Sequence, residues 1–482
     1  MTGDHPGSVE PAVTSAHDLL GADLPRARSR PVRHGCLYRA ATPVSGASLV
    51  VVRVALGVVA VISSLRTITY GWADTLYSKP HHRFTYLGLD WVPQPGPLGI
   101  RILLGGVAVA GVGLVIGRAH RWFAALLLVC FGWVEAIDAT TYLNHYWFVT
   151  LMAALAVVSP MDGRPRVAAG WVWLIRFQVG VVYSFAGLAK LQPDWLIHAL
   201  PLKLWLPARA DLPIVGPLLA MPQTAHVAAV AGAAYDCLVV GGLLWRRTRP
   251  FAWAAVVAFH VSTWILFPIG VFPWLMIAVS TIFWEPDWPI RARTWMTTRG
   301  WWPRPTRRRG DRSSECGEAL STTPTTTSDT PAPQPSLLAM GLAALWVIMQ
   351  LALPLRHLAY PGDHRWTGEG FRFGWNVLLV ERSGSVTFLA HEPATGRTWT
   401  VDAEELYTPN QIRVMSGEPD LIQQAARTIR DREADRGHRV EVTVDAWLSF
   451  NGEPPQRWID PTTDLASAPR DPWPKPWILS RG

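Results

Sequence analysis

The sequence predicts an all-α polytopic membrane bundle of about nine transmembrane helices, followed by a small extracytoplasmic mixed α/β domain. Three observations predict it. Of the 482 residues 49% are hydrophobic, and they are gathered into segments of membrane length instead of being dispersed as in a soluble core. The basic residues sit in clusters between those segments. Beyond residue 355 the apolar blocks give way to short alternating runs with turn residues.

The apolar segments are residues 49–65, 98–117, 122–137, 146–159, 171–189, 224–245, 251–267, 271–284 and 337–353. A span needs roughly 20 apolar residues, and about 14 suffice where flanking residues snorkel or the bilayer thins. The shortest segments are 146–159 and 271–284.

The net charge of +8 has a location that decides its meaning. Five arginines lie in residues 26–39, and further clusters are Arg118/Arg121, Arg164/Arg166, Arg246/Arg247/Arg249 and the stretch 291–312. With a cytoplasmic N-terminus and nine crossings, every cluster falls on the inner side, as the positive-inside rule requires. The basic residues therefore orient the protein in a bilayer, and no nucleic-acid partner is expected.

The expected organisation follows in order. Residues 1–45 are a disordered cytoplasmic tail without the pattern of a cleaved leader. Residues 46–290 form the multi-helix membrane domain. Residues 291–336 are a cytoplasmic linker, basic and then rich in Pro, Ser and Thr. Residues 337–354 cross once more and deliver residues 355–482 to the outside. There, the stretch 371–402 reads as strand-like runs broken by SGS and ATG turns, 419–434 as an amphipathic helix and 439–450 as a further strand. Cys36, Cys130, Cys237 and Cys316 have neither disulfide nor metal-ligand spacing.

Lys190 closes the run WVWLIRFQVGVVYSFAGLAK and is followed by LQPDW. An isolated lysine at a helix end ordinarily snorkels to the interface. Two features favour chemistry. The loop DATTYLNH puts Asp138, Tyr142, Asn144 and His145 at the same membrane face, and His260 lies inside a neighbouring span. Burial destabilises an ammonium relative to the free amine, which lets such a lysine accept a proton. Tyr183 lies seven residues before Lys190, two turns along the same helix face. Tyr142 and His260 also have bland readings, as an interfacial belt residue and a satisfied structural histidine. Arg53 and Arg176 lie in or near spans, with Glu135 and Asp138 as their available counter-charges. No phosphate-binding glycine loop, nucleophile triad or metal motif is present.

Taken together, SGASLVVVRVALG, DATTYLNHYW, RFQVGVVYSFAGLAKLQPDW, AFHVSTWILFPIGVFPW, EPDWP, GFRFGWNVLL, ATGRTW and VTVDAWLSFNGEPPQRWIDPTTDL resemble, in this order, the vitamin K-dependent gamma-glutamyl carboxylase family and its bacterial relatives of the HTTM type. In that family a lysine deprotonates a hydroquinone, which reacts with oxygen to give a strongly basic alkoxide. The alkoxide removes the γ-proton of a glutamate, the carbanion adds carbon dioxide, and the quinone leaves as an epoxide. The resemblance implies Lys190 as the initiating base, and His145 with Asn144 as the groups that orient and stabilise the developing oxygen anion. It implies Tyr183, His260 and Trp375 as quinone-pocket residues.

The cofactor it implies is a reduced vitamin K or menaquinone-type hydroquinone, with oxygen and carbon dioxide as co-substrates and no metal. The partners are the lipid bilayer, the quinone and a glutamate-containing protein or peptide. Ala189 stands where animal members carry a second lysine, and Val380 where they carry a histidine. The chain also ends soon after DPTTDL, without the long extension of the animal enzymes. A quinone epoxidase without carboxylation, a non-catalytic scaffold and a lipid or solute transporter are the alternative readings.

Overall fold

The computed structural model describes residues 40–301 and 336–482. The expected tail of residues 1–45 is ordered at its end, where Pro43–Val44 pairs with Val167–Ala168; residues 1–39, the linker residues 302–335 and the placements of Cys36 and Cys316 lie outside the described residues.

The apolar segments all become helices: α1 (Ala47–Thr69), α2 (Pro97–Ile116), α3 (His120–Ile137), α4 (Asn144–Val158), α5 (Ala169–Lys190), α6 (Pro222–Leu244), α7 (Arg249–Leu266), α8 (Phe272–Ser280) and α9 (Leu337–Leu355). Among the described residues, six helices are long and apolar enough to cross a membrane: α1, α2, α3, α5, α6 and the stretch Leu337–Ala359 that contains α9. The expected nine crossings thus reduce to six by this measure. The 15 residues of α4 reach only about 22 Å at 1.5 Å per residue, short of a hydrocarbon layer of roughly 30 Å. Residues 291–298 of the expected linker are helical, within Trp288–Thr298.

Glycine sets a close contact between α1 and α2. A Cβ on Gly57 of α1 would stand 2.6 Å from the Gly111 carbonyl oxygen of α2, and one on Gly111 the same distance from the Gly57 carbonyl oxygen. Only hydrogen at both positions lets the backbones approach this closely. The bundle core is then filled by Leu49, Leu56, Leu114, Leu127, Phe148 and Ile175. The α9 helix lies at the edge and is fastened to α5 by polar bonds, Gln178 to Gln350 at 3.2 Å and the Trp346 indole to Gln178 at 3.0 Å.

The C-terminal region contains a four-stranded antiparallel sheet of β1 (Arg382–Glu392), β2 (Arg397–Val401), β3 (Glu441–Phe450) and β4 (Gln456–Arg457), in the order β2-β1-β3-β4. Along β3 the residues Val442, Val444, Ala446, Leu448 and Phe450 alternate inward and are buried, the period expected of a half-covered strand. The helix α11 (Pro419–Asp435), preceded by the short α10 (Pro409–Met415), covers that face with Leu421, Ile422, Ala425 and Ile429.

The SGS sequence is not a turn: β1 runs straight through it, pairing Ser383 with Ser449 and Ser385 with Trp447. Gly384 is needed for closeness, because a Cβ there would lie 1.8 Å from the Ser416 carbonyl oxygen. Nor is the stretch GFRFGWNVLL a strand. It forms an irregular loop in which Phe373, Trp375 and Leu378 have φ of 58°, 59° and 50°, backbone that side-chain-bearing residues adopt only under constraint.

This domain rests on the loops of the bundle. Gln411 donates to Asp138 at 2.8 Å and to the His82 carbonyl at 2.8 Å. Phe84, Tyr86 and Ala139 are built into the domain core.

Candidate active site

Lys190 is the last residue of α5 and does not snorkel; it is 5% exposed. Its Nζ lies 2.9 Å from Asp236 Oδ2 of α6, and both side chains are buried. Nζ also donates to the Ala186 carbonyl at 3.1 Å and, across 187 residues of chain, to the Val377 carbonyl at 3.4 Å. The Trp195 ring lies 5.2 Å from it. Reading basic and aromatic residues alone passes over Asp236. It is the single acidic residue in α6, and a lone carboxylate in an apolar span is itself the signal.

Asn144 opens α4. Its amide nitrogen donates to the Asn376 carbonyl at 3.3 Å, and its Oδ1 accepts from the Tyr142 hydroxyl at 2.9 Å. That hydroxyl in turn accepts the backbone N–H of Phe373 at 2.7 Å. One three-residue stretch, Trp375-Asn376-Val377, therefore reaches both Asn144 and Lys190. It does so through main-chain carbonyls, which no side-chain motif announces.

Trp375 is 1% exposed and belongs to the core of the bundle, not to that of its own domain. Its ring stands edge-on to Phe148 at 6.4 Å, and Phe148 stands edge-on to Phe272 at 6.0 Å. Phe272 also faces His145 at 5.3 Å and His260 at 6.4 Å. The Tyr183 hydroxyl lies 2.8 Å from His260 Nε2 and 3.3 Å from Ser280 Oγ. His145, Tyr183, His260 and Trp375 are thus gathered along one aromatic strip through Phe148 and Phe272, while Lys190 and Asn144 are tied to its end by the loop.

The members differ in how they are satisfied. Tyr183 and His260 hold each other. The His145 ring makes ring contacts with Tyr146 and Phe272 and no hydrogen bond to another described residue, so its nitrogens are free for a ligand. A flat, apolar ring system with polar oxygens fits such a strip, which offers aromatic faces and one free imidazole.

The anticipated counter-charges are paired otherwise. Arg176 donates to the carbonyls of Ile282 at 2.9 Å and Trp284 at 3.0 Å, and Glu135 accepts from Thr150 at 2.6 Å. Asp138 accepts from the Thr140 backbone and hydroxyl and from Gln411. Carbonyls at helix ends and neighbouring hydroxyls are nearer than the opposite charges, and they win. Burial raises the Asp138 carboxyl above its ordinary range, and the bonds from Thr140 and Gln411 pull part of the way back.

The strained loop is anchored from within its own domain. Arg372 pairs with Asp420 at 2.8 Å and Glu418 at 3.3 Å, and Arg382 pairs with Glu418 at 3.1 Å. Burial pulls the Arg372 guanidinium down, but Asp420 and Glu418 outweigh it and leave it above its ordinary value. On the other side, Asp194, in the turn after Lys190, receives Arg365 at 3.2 Å and Arg481 at 3.4 Å. Among the described residues no cluster of three or more His, Cys, Asp or Glu side chains suits a metal ion.

Two family models match the chain. The HTTM domain matches residues 41–288, and the vitamin K-dependent gamma-carboxylase lumenal domain matches residues 335–482. No solved structure matches.

Proposed function

The chain belongs to the HTTM-domain, vitamin K-dependent gamma-glutamyl carboxylase family, and on that premise we propose that it is an integral membrane enzyme coupling oxygenation of a reduced quinone to carboxylation of protein glutamate. The observation that carries the proposal is the loop at Trp375-Asn376-Val377. A segment of the lumenal-type domain enters the bundle and bonds to both Asn144 and Lys190, which joins the two matched regions at one site. The N-terminus would be cytoplasmic and the C-terminal domain extracytoplasmic.

The reduced vitamin K or menaquinone-type quinone, with oxygen, would supply the strong base that a glutamate γ-proton requires. The chain's own residues supply the rest. Phe148, Phe272, Tyr183, His260 and Trp375 would hold the ring system and keep water out. Lys190 would take the hydroquinone proton at Nζ. His145, whose nitrogens are uncommitted, would donate to or accept from the quinone oxygen, and Asn144 would be fixed beside it by Tyr142 and the loop. Dryness matters because a carbanion beside a carboxylate is quenched by any available proton donor.

The test uses purified protein in lipid with reduced menaquinone or phylloquinone, oxygen, labelled bicarbonate and a glutamate-containing peptide. Epoxide and incorporated label are followed separately. Both products establish the carboxylase, and epoxide alone establishes a quinone oxygenase. Neither product from folded protein returns the chain to the scaffold or transporter readings.

A further inference from the structure

The surroundings of Lys190 describe an ammonium, not a base. An ammonium has three N–H donors and no acceptor. Nζ faces three acceptors: Asp236 Oδ2 at 2.9 Å, the Ala186 carbonyl at 3.1 Å and the Val377 carbonyl at 3.4 Å. A free amine here would point its lone pair at one of these oxygens. The resting lysine is therefore in the form that cannot accept a proton. The other charge nearby belongs to Asp236, which no described cation other than Lys190 neutralises.

We propose that Asp236 is the positioning partner of Lys190 and takes over its proton, so that the working base is the buried pair. This rests on the reading of Lys190 as the initiating base. In the first step an N–H bond of the ammonium breaks and an O–H bond forms on Asp236, giving amine and carboxylic acid with no change in net charge. Both ions of a buried pair lack hydration, which brings the neutral pair within reach of the ionic one. In the second step a hydroquinone, when bound, would lose its O–H proton to the Nζ lone pair. The ammonium that results is balanced by the hydroquinone anion, and the acid on Asp236 stays intact. No oxidant or outside base is consumed.

The other titratable groups in electrostatic reach of the pair are Cys237, Tyr183 and Tyr235. Thiols and phenols are ordinarily neutral at pH 7, which leaves the pair as the proton store.

Infrared difference spectra with reduced menaquinone, taken without oxygen, test the idea on the intact protein. Binding is monitored independently by tryptophan quenching. The expected result is a carboxylic-acid carbonyl band that appears on binding to wild type and is missing in Asp236→Asn. Binding without that band overturns the proposal and leaves the functional reading standing. An absence of binding removes the functional reading and the proposal with it.

A second measurement follows quinone oxygenation against pH. Wild type should be nearly flat through neutrality, because its proton moves within the pair. Asp236→Asn should lose about 10²-fold near neutral pH and recover as pH rises with the slope of one proton. Asp236→Glu should restore the flat profile. A uniform loss at every pH in Asp236→Asn, unrelieved by Asp236→Glu, would mark a structural role and refute the assignment.

Discussion

Two ion-pair sites in this molecule differ in burial and in kind. In the C-terminal domain, Arg372 is held between Glu418 and Asp420, and Arg382 shares Glu418. In the bundle, Lys190 faces Asp236 alone, with two carbonyls beside it. A guanidinium does not give up its proton in a protein, and its planar fork fixes direction as well as charge. An ammonium facing a carboxylate can be erased by moving a single proton. The arginine cluster thus clamps the strained loop with charge that stays, while the lysine pair is of the kind that a single proton transfer can cancel. Charge placed for architecture and charge placed for chemistry are told apart by whether one proton can cancel them.

Four substitutions test these roles. Lys190→Ala should cost the most in rate, about 10²–10⁴-fold in quinone oxygenation, while altering thermal stability less than loss of Arg372 does. Asp236 can then neutralise itself by taking up a proton. An active Lys190→Ala enzyme would end its role as base. Arg372→Ala should cost up to roughly 3 kcal/mol in chemical denaturation, because Asp420 is left without its partner at a half-buried site where water screens part of the loss. It should also loosen the loop, measured as a loss of Trp375 burial by fluorescence.

The third prediction concerns acid. His364 stacks on His357 at 4.1 Å, and burial first, then His357, pushes its pKa down to about 4. The folded domain therefore prefers neutral imidazole, while the unfolded chain titrates near its ordinary value. Stability from this group is fully present above about 6.5 and lost as pH falls toward about 4, on the order of 3 kcal/mol in all. His364→Gln should flatten that slope in urea titrations, and an unchanged slope would assign it to other groups. The smallest effect is expected for Gly384→Ala. The added methyl meets the Ser416 carbonyl and should cost about 1–3 kcal/mol, read as a lower Tm without a change in quinone binding.

How much of this was legible in the sequence differs by kind of contact. Apolar length gave every bundle helix, because periodicity and hydropathy are local. Alternation gave β3, and the amphipathic pattern gave α11, for the same reason. The crossing number of nine was not reached among the described residues: α4 and α8 are apolar but short, and α7 is not among the six helices long and apolar enough to cross. The SGS stretch misled because its glycine serves close packing, a tertiary demand that looks like a turn signal. His145, Tyr183, His260 and Trp375 were each visible as residues, but the strip that joins them runs through Phe148 and Phe272, which carry no chemical signature. Asp236 was readable as a lone acid in an apolar helix. The carbonyls of Asn376 and Val377 were not, since every residue has one.

The bond from Lys190 to Val377 also has a consequence in time. Chains grow at roughly 5–20 residues per second, so the 187 residues that separate donor and acceptor amount to roughly 10–40 s of synthesis at that pace. Asp236 emerges within the first quarter of that interval. During insertion, then, the carboxylate is the only one of the two that can escort the lysine into the bilayer. Truncated nascent chains released before residue 377 should already carry the lysine at its final depth, and those released before residue 236 should leave it in water.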